Sequence, residues 1–328
     1  MKILVDAFGG DNAPLEIIKG CELAVNEYGV EIILTGNKDI ITQVAAQNGV
    51  SLNNMEIVHC TDVITMEDHP TELMKSKKES SLAVALKMLA EDKADGFVGA
   101  GSTGAILTGA TLIVKRIKGV KRPALAPVIP ADNGKFMLID CGANADCRPE
   151  MLVQFAKMGS VYMENVLGVS NPRVGLVNIG TESTKGDELR VETYAQLENS
   201  GLNFIGNAEA RDIPFGVCDV AVADGFTGNV VLKMYEGTAS FVAGKFKEVF
   251  KKNIKNKLAA AVILSDLNDI KKSLDYNEYG GAPFLGVKKP VFKAHGSSSA
   301  VTFKNAIGQL VEFVNADVIG KISSQLED

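Results

Sequence analysis

The feature that most restricts this chain is an alternation of short apolar runs with segments of helical period, which starts at residue 2 and hardly pauses. KILVDA (2–7), EIILTG (31–36), the run at 56–58 and the apolar end at 96–98 read as strands. Between them PLEIIKGCELAVNEYG (14–29), residues 38–48 and SSLAVALKMLAED (80–92) carry helical spacing, the first opening on a proline whose missing N–H is harmless there. Successive strands separated by helices are joined by crossovers, so the expected architecture is α/β, a mostly parallel sheet with helices on both faces. The alternation continues through a helix at 104–116. ALAPVIP (124–130) and KFMLIDCG (135–142) then flank a turn with Asp132, Asn133 and Gly134, which predicts a hairpin inserted in the parallel run. A helix at 149–167, strands at 174–180, 203–206 and 219–224, a helix at 187–199, a long helix from 227 and a closing helix at 297–316 complete the pattern. No repeat interrupts it, and residues 1–328 read as a single domain containing a helical segment at 230–280 with an inserted helical hairpin.

Composition narrows the class. A 46% hydrophobic, 23% charged chain is an ordinary globular protein, and a net charge of −6 argues against nucleic acid as a partner. Five cysteines without C-x-x-C spacing indicate neither a disulfide framework nor a zinc site, so no metal and no cofactor are expected. MKILVDAFGG reads as a strand and turn rather than a leader, and the apolar run Leu258 to Leu264 falls far short of the ~20 residues of a span. A cytoplasmic location is expected.

Ligands of open α/β sheets bind at the carboxyl ends of the strands, where this sequence is rich in glycine and small polar residues. Five such loops are Asp6 to Asn12, Gly99 to Gly104, Asp140 to Asn144, Asn178 to Gly186 and Asp224 to Asn229. Gly99, Gly101 and Gly104 match G-x-G-x-x-G, yet the ribose-binding acid due about 20 residues on is absent: that region is Lys118-Gly119-Val120-Lys121-Arg122, and the next acid is Asp132. No G-x-x-x-x-G-K-[ST] occurs either, so a smaller phosphate species suits the turn better than a dinucleotide. Gly9, Gly10, Asp11, Gly101, Ser102, Thr103 and Gly104 form a candidate phosphate site, although Gly9-Gly10-Asp11 also reads as a plain turn and cap. Lys185, bracketed by Thr184 and Gly186 before a helix, suits an oxyanion or is a solvated surface lysine. His59 and His69 read as structural; His295, followed by Ser297 to Ser299 at a helix start, is the better functional histidine.

DAFGGDNAP, GAGSTGA, DCGAN, NIGTESTKGDEL, ADGFTGNVVLK, GGAPFLG and HGSSSA follow one another as in the bacterial phosphate acyltransferases of phospholipid synthesis, which the chain resembles over nearly its whole length. Ser102 and Phe284 stand where that family usually has asparagine and leucine. The resemblance implies acyl transfer from acyl-acyl carrier protein to inorganic phosphate, a homodimer, and a fold similar to isocitrate and isopropylmalate dehydrogenases and to phosphotransacetylase. Phosphate is itself a competent nucleophile and a thiolate a good leaving group, so the protein has to hold the anion and stabilise an oxyanion. Ser102, Thr103, Ser297 and Lys185 are candidates for the first task, Asn229 and His295 for the second, with Asp224 orienting Lys185 or Asn229. A metal- and NAD-dependent hydroxy-acid dehydrogenase and a non-catalytic acyl or phosphate binding module are the alternatives.

Between Lys245 and Lys257 stand six lysines and one glutamate, while Ile254, Leu258 and Val262 recur at helical spacing, extended by Ala261 and Leu264. Such a segment packs against a second subunit or meets an anionic membrane or an acidic carrier protein. Membrane proximity would deliver an unstable acylated product to a downstream membrane acyltransferase.

Overall fold

The computed structural model describes residues 1–132, 134–263, 267 and 280–327. Two sheets form where one was expected. The first has seven strands, in spatial order β3 (Met55–His59), β2 (Glu31–Gly36), β1 (Lys2–Asp6), β4 (Gly96–Gly99), β12 (Val291–Ala294), β11 (Gly281–Leu285) and β5 (Ala124–Leu125). The second has five, β6 (Val128–Ala131), β7 (Gly134–Ile139), β10 (Val220–Val222), β8 (Val174–Asn178) and β9 (Phe204–Glu209). Pro127 lies at the division. Without an N–H it interrupts ALAPVIP, so the run's start stays with the first sheet while its end pairs antiparallel with β7.

Most neighbours are parallel, and the inner strands are buried on both faces. Ile3 and Val5 of β1 pack with Ile17 and Ile18 of α1 (Leu15–Tyr28) and with Phe303 and Ile307 of the helix Ala300–Asn315. Leu4, on the opposite face, joins Leu82 and Leu86 of α3 (Ser81–Ala90) and Ile106 of α4 (Thr103–Gly109). α2 (Lys38–Asn48) starts from the Asn37 cap. In the second sheet Met137 and Ile139 meet Leu152 and Phe155 of α5 (Pro149–Asn165), while Leu138 and Ala221 share a cluster with Val231, Leu232 and Tyr235 of α7 (Gly225–Lys251). α6 (Glu188–Glu198) connects β8 to β9.

Four local expectations are corrected. The helix at 104–116 is α4 followed by a π-turn at 110–114. The strand 281–285 was not among the expected elements; Pro283 is accommodated where β11 faces the two-residue β5. The closing helix begins at Ala300 and is numbered α9. It yields at Asp317 (φ 48°) to a further helix, α10 (Val318–Glu327). α7 is followed by α8 (Ile254–Val262); Leu264 and the turn residue Asn133 lie outside the described residues, as does most of the expected hairpin's return.

Candidate functional site

Strand order in the first sheet runs to β2 and β3 on one side of β1 and to β4 and β12 on the other, which makes the β1/β4 boundary a topological switch point. Val5 is opposite Val98 and Lys293 is opposite Gly99, so the loops after β1, β4 and β12 leave the sheet side by side. The first two approach most closely at glycine: a Cβ on Gly9 would stand 2.6 Å from the Gly101 nitrogen. The Asp11 N–H donates to the Gly296 carbonyl at 2.8 Å, and the Asn12 amide donates to the carbonyls of Ser297 and Ser298 at 3.1 and 3.3 Å. Lys293 closes the group by donating from Nζ to Ala100 O at 3.2 Å and to Ala294 O. His295 Nδ1 lies 2.8 Å from Ser297 Oγ.

The second sheet contributes through β7, β10 and α7. Asp140 is fully buried and takes the N–H groups of Leu125 (2.9 Å), Ala143 (3.2 Å) and Asn144 (2.6 Å) together with the Asn144 amide (2.9 Å). Leu125 belongs to the first sheet, so this carboxyl ties the two sheets together. Burial pushes its pKa up to about 6 in spite of those donors. α7 begins hard against this loop, since a Cβ on Gly228 would overlap the Asp140 carbonyl oxygen. Asn229 packs on Gly142. One turn later Lys233, paired with Glu236 at 2.8 Å, lies within electrostatic reach of Lys293 and His295. Burial chiefly, with Lys233 adding to it and Asp11 opposing, lowers Lys293 to about 8. Burial lowers His295 as well, Glu236 opposing and Lys233 and Lys293 assisting. Asp11, Lys233, Glu236, Lys293 and His295 therefore form one electrostatically coupled group where the loops of the first sheet meet α7.

Other sequence candidates have different surroundings. Gly99 and Gly104 leave room for Phe97 and Pro70, and Ser102 caps α4 at 3.5 Å from the Ala105 nitrogen, with Thr103 half-buried beside it. Asp224 does not turn to Lys185 or Asn229. It caps α7 through the Thr227 N–H (2.9 Å) and hydroxyl (2.8 Å) and pairs with Arg190, because a buried carboxylate takes the nearest buried cation. Thr184, Lys185 and Gly186 are exposed; the start of α6 beside them is already closed by Asp187, which accepts from the Arg190 N–H at 3.0 Å. The start of α9 after Ser297 is not an open anion site either. Glu16 accepts from the Ala300 N–H at 2.8 Å and Ser299 caps Thr302 at 3.3 Å, using the donors an anion would need. Lys293, Lys233, Glu236 and Arg190 were missed in the sequence, though a lysine in the otherwise apolar VFKA was a usable signal for the first.

α7 leaves the body after Glu236, and no residue from Gly237 to Lys251 is buried. Phe241, Phe246, Ile254, Leu258 and Val262 are 65, 56, 75, 65 and 84% exposed, so the arm carries an uncovered apolar surface. No described helix is long and apolar enough to cross a membrane.

The family model described as fatty acid synthesis protein matches residues 1–321. The phosphate acyltransferase of Clostridium novyi is 49% identical over 328 residues, covering 100% of this chain and 99% of its own. That of Thermoanaerobacterium thermosaccharolyticum is 47% identical over 327, covering 100% and 97%. A phosphotransacetylase from Streptococcus pyogenes superposes with a TM-score of 0.65 at 17% identity, covering 98% of this chain and 94% of that one. A 4-hydroxythreonine-4-phosphate dehydrogenase described as putative, from Salmonella typhimurium, reaches 0.50 at 11% identity, covering 94% and 99%. These two solved structures share the α/β fold. Matched from end to end at such identity, the chain belongs to the fatty acid synthesis protein family, and its relatives there are phosphate acyltransferases.

Proposed function

We propose that the chain transfers a fatty acyl group from acyl-acyl carrier protein to inorganic phosphate, giving acyl phosphate for phospholipid synthesis. The observation that carries the reading is that glycine-spaced loops meet Lys293 of β12 and Lys233 of α7 in a chain related throughout to phosphate acyltransferases. A phosphate oxygen attacks the thioester carbonyl, the tetrahedral oxyanion collapses, and the C–S bond breaks to release the carrier thiolate. No enzyme nucleophile is needed. The cysteines support this direct route: Cys21, Cys60, Cys141 and Cys218 are buried, and burial pushes the thiol of half-buried Cys147 up to about 12. In this reading Asn229 and His295 donate to the oxyanion, an effect worth roughly 3 kcal/mol per donor, and Ser102 and Thr103 contact phosphate.

We read residues 1–328 as one catalytic unit of isocitrate/isopropylmalate dehydrogenase-like fold. It acts as a cytoplasmic homodimer whose lysine-rich arm rests on an anionic membrane beside the acyltransferase that consumes the product. The exposure of Ile254, Leu258 and Val262 supports that role for the arm. Purified protein supplied with acyl carrier protein thioester and labelled phosphate should form labelled acyl phosphate. Thioester loss without labelled product, or reduction of NAD with a hydroxy acid, would overturn the assignment.

A further inference from the structure

We propose that Lys293 is the cation that binds the substrate phosphate, with the Ala100–Thr103 turn as its companion. The inference rests on the acyl-phosphate reading above. Lys293 sits at the carboxyl end of β12, opposite Gly99, in the strand adjoining the switch point. An ammonium carries three N–H donors. Two are used, one on the carbonyl of Ala100 in the glycine turn and one on the carbonyl of Ala294 in its own strand, which leaves one for a ligand.

The electrostatics point the same way. Among the described residues no carboxylate lies within ion-pair distance of Lys293, whereas Lys233 has Glu236 at 2.8 Å. A desolvated cation that lacks a counter-ion is poorly stabilised, and an arriving phosphate supplies the missing charge. The groups around it are Asp11 from the loop after β1, Lys233 and Glu236 from α7, and His295 two residues along its own strand exit. Among the described residues Asp11 is the one anion acting on Lys293, and its effect is smaller than that of Lys233. Lys293 near 8 is cationic at neutral pH and neutral in mild alkali. Phosphate capture should weaken over that range.

A bare structural role is the competing explanation, since the hydrogen bond to Ala100 staples β12 to the glycine turn. Steady-state kinetics of wild type, Lys293→Met and Lys293→Arg separate the two, with folding checked by circular dichroism and gel filtration. Lys293→Met should raise KM for phosphate by about ten- to a hundredfold while leaving KM for the acyl thioester near wild type. Lys293→Arg, if folded, should retain phosphate use. Its profile of kcat/KM for phosphate should lose the basic limb near 8, because guanidinium stays charged. Unchanged phosphate KM in Lys293→Met, equal rises for both substrates, or a limb near 8 persisting in Lys293→Arg would overturn the proposal. If Lys293→Met does not fold, the Lys293→Arg pH profile decides. Absence of acyl phosphate from wild type would refute the underlying reaction instead, before any variant is compared.

Discussion

Gly9 and Gly101 make one contact, but they should not tolerate alanine equally. A Cβ on Gly9 would lie 2.6 Å from the Gly101 nitrogen, 3.0 Å from its Cα and 3.0 Å from an Asp6 carboxylate oxygen. Two of these neighbours are backbone and the third is buried, so none can swing aside. Reaching an ordinary contact requires the loops after β1 and β4 to part by about 0.8 Å. A Cβ on Gly101, in contrast, would meet Gly9 Cα at 3.5 Å and Asp6 Oδ2 at 3.8 Å, which is ordinary packing. Gly9→Ala should therefore cost about 1–3 kcal/mol of stability, the usual range for overpacking. It should also lower kcat/KM for phosphate by up to about a hundredfold, the penalty of displacing positioning groups by close to an ångström. Gly101→Ala should change either quantity by less than about threefold or 1 kcal/mol. Urea unfolding and acyl phosphate formation on both variants provide the comparison. If Gly101→Ala fails as badly as Gly9→Ala, the close approach that matters is that of a ligand to Gly101, and packing of the two loops is not why glycine is required.

Asp140 has a pH signature. Its carboxyl is shifted from 3.8 to about 6 by burial, so the folded state favours the protonated form; the associated stability is fully present below about 4 and is lost as pH rises through 6. The stability of wild type relative to Asp140→Asn should consequently fall by about 3 kcal/mol between pH 4 and 7, and parallel unfolding curves across that range would exclude the effect. Iodoacetamide at pH 7.5 should leave acyl phosphate formation intact, since no cysteine is a ready thiolate; inactivation that substrate prevents would argue for an acyl-enzyme. Leu258→Asp with Val262→Asp should abolish flotation with anionic vesicles and preserve turnover in solution. Dissociation of a dimer with loss of soluble activity would assign the arm to the subunit interface.

Periodicity was enough to locate most strands and helices from β1 to α9, because a buried parallel strand has to be apolar throughout and its covering helix apolar on one face. It could not count sheets. Whether ALAPVIP is one strand or two depends on which neighbour each half pairs with, and the pairing of Ala124–Leu125 with β11 and of Val128–Ala131 with β7 decides that. The site divides along similar lines. Glycine at 9 was legible because close backbone approach admits little else, whereas a helix start announces itself whether or not its donors are already taken. Glu16 is 284 residues from Ala300 in sequence, and Asp224 is 34 from Arg190, yet these partners determine which polar groups remain for a ligand. Lysines invert the difficulty. Lys185 stands among small polar residues in sequence and is exposed in the fold, while Lys293 is hidden in an apolar strand whose end meets the glycine turn. An anion-binding lysine is thus better sought as an interruption of a buried strand at its carboxyl end. There the sheet supplies the desolvation and the neighbouring loops supply the geometry, neither of which a solvated loop provides.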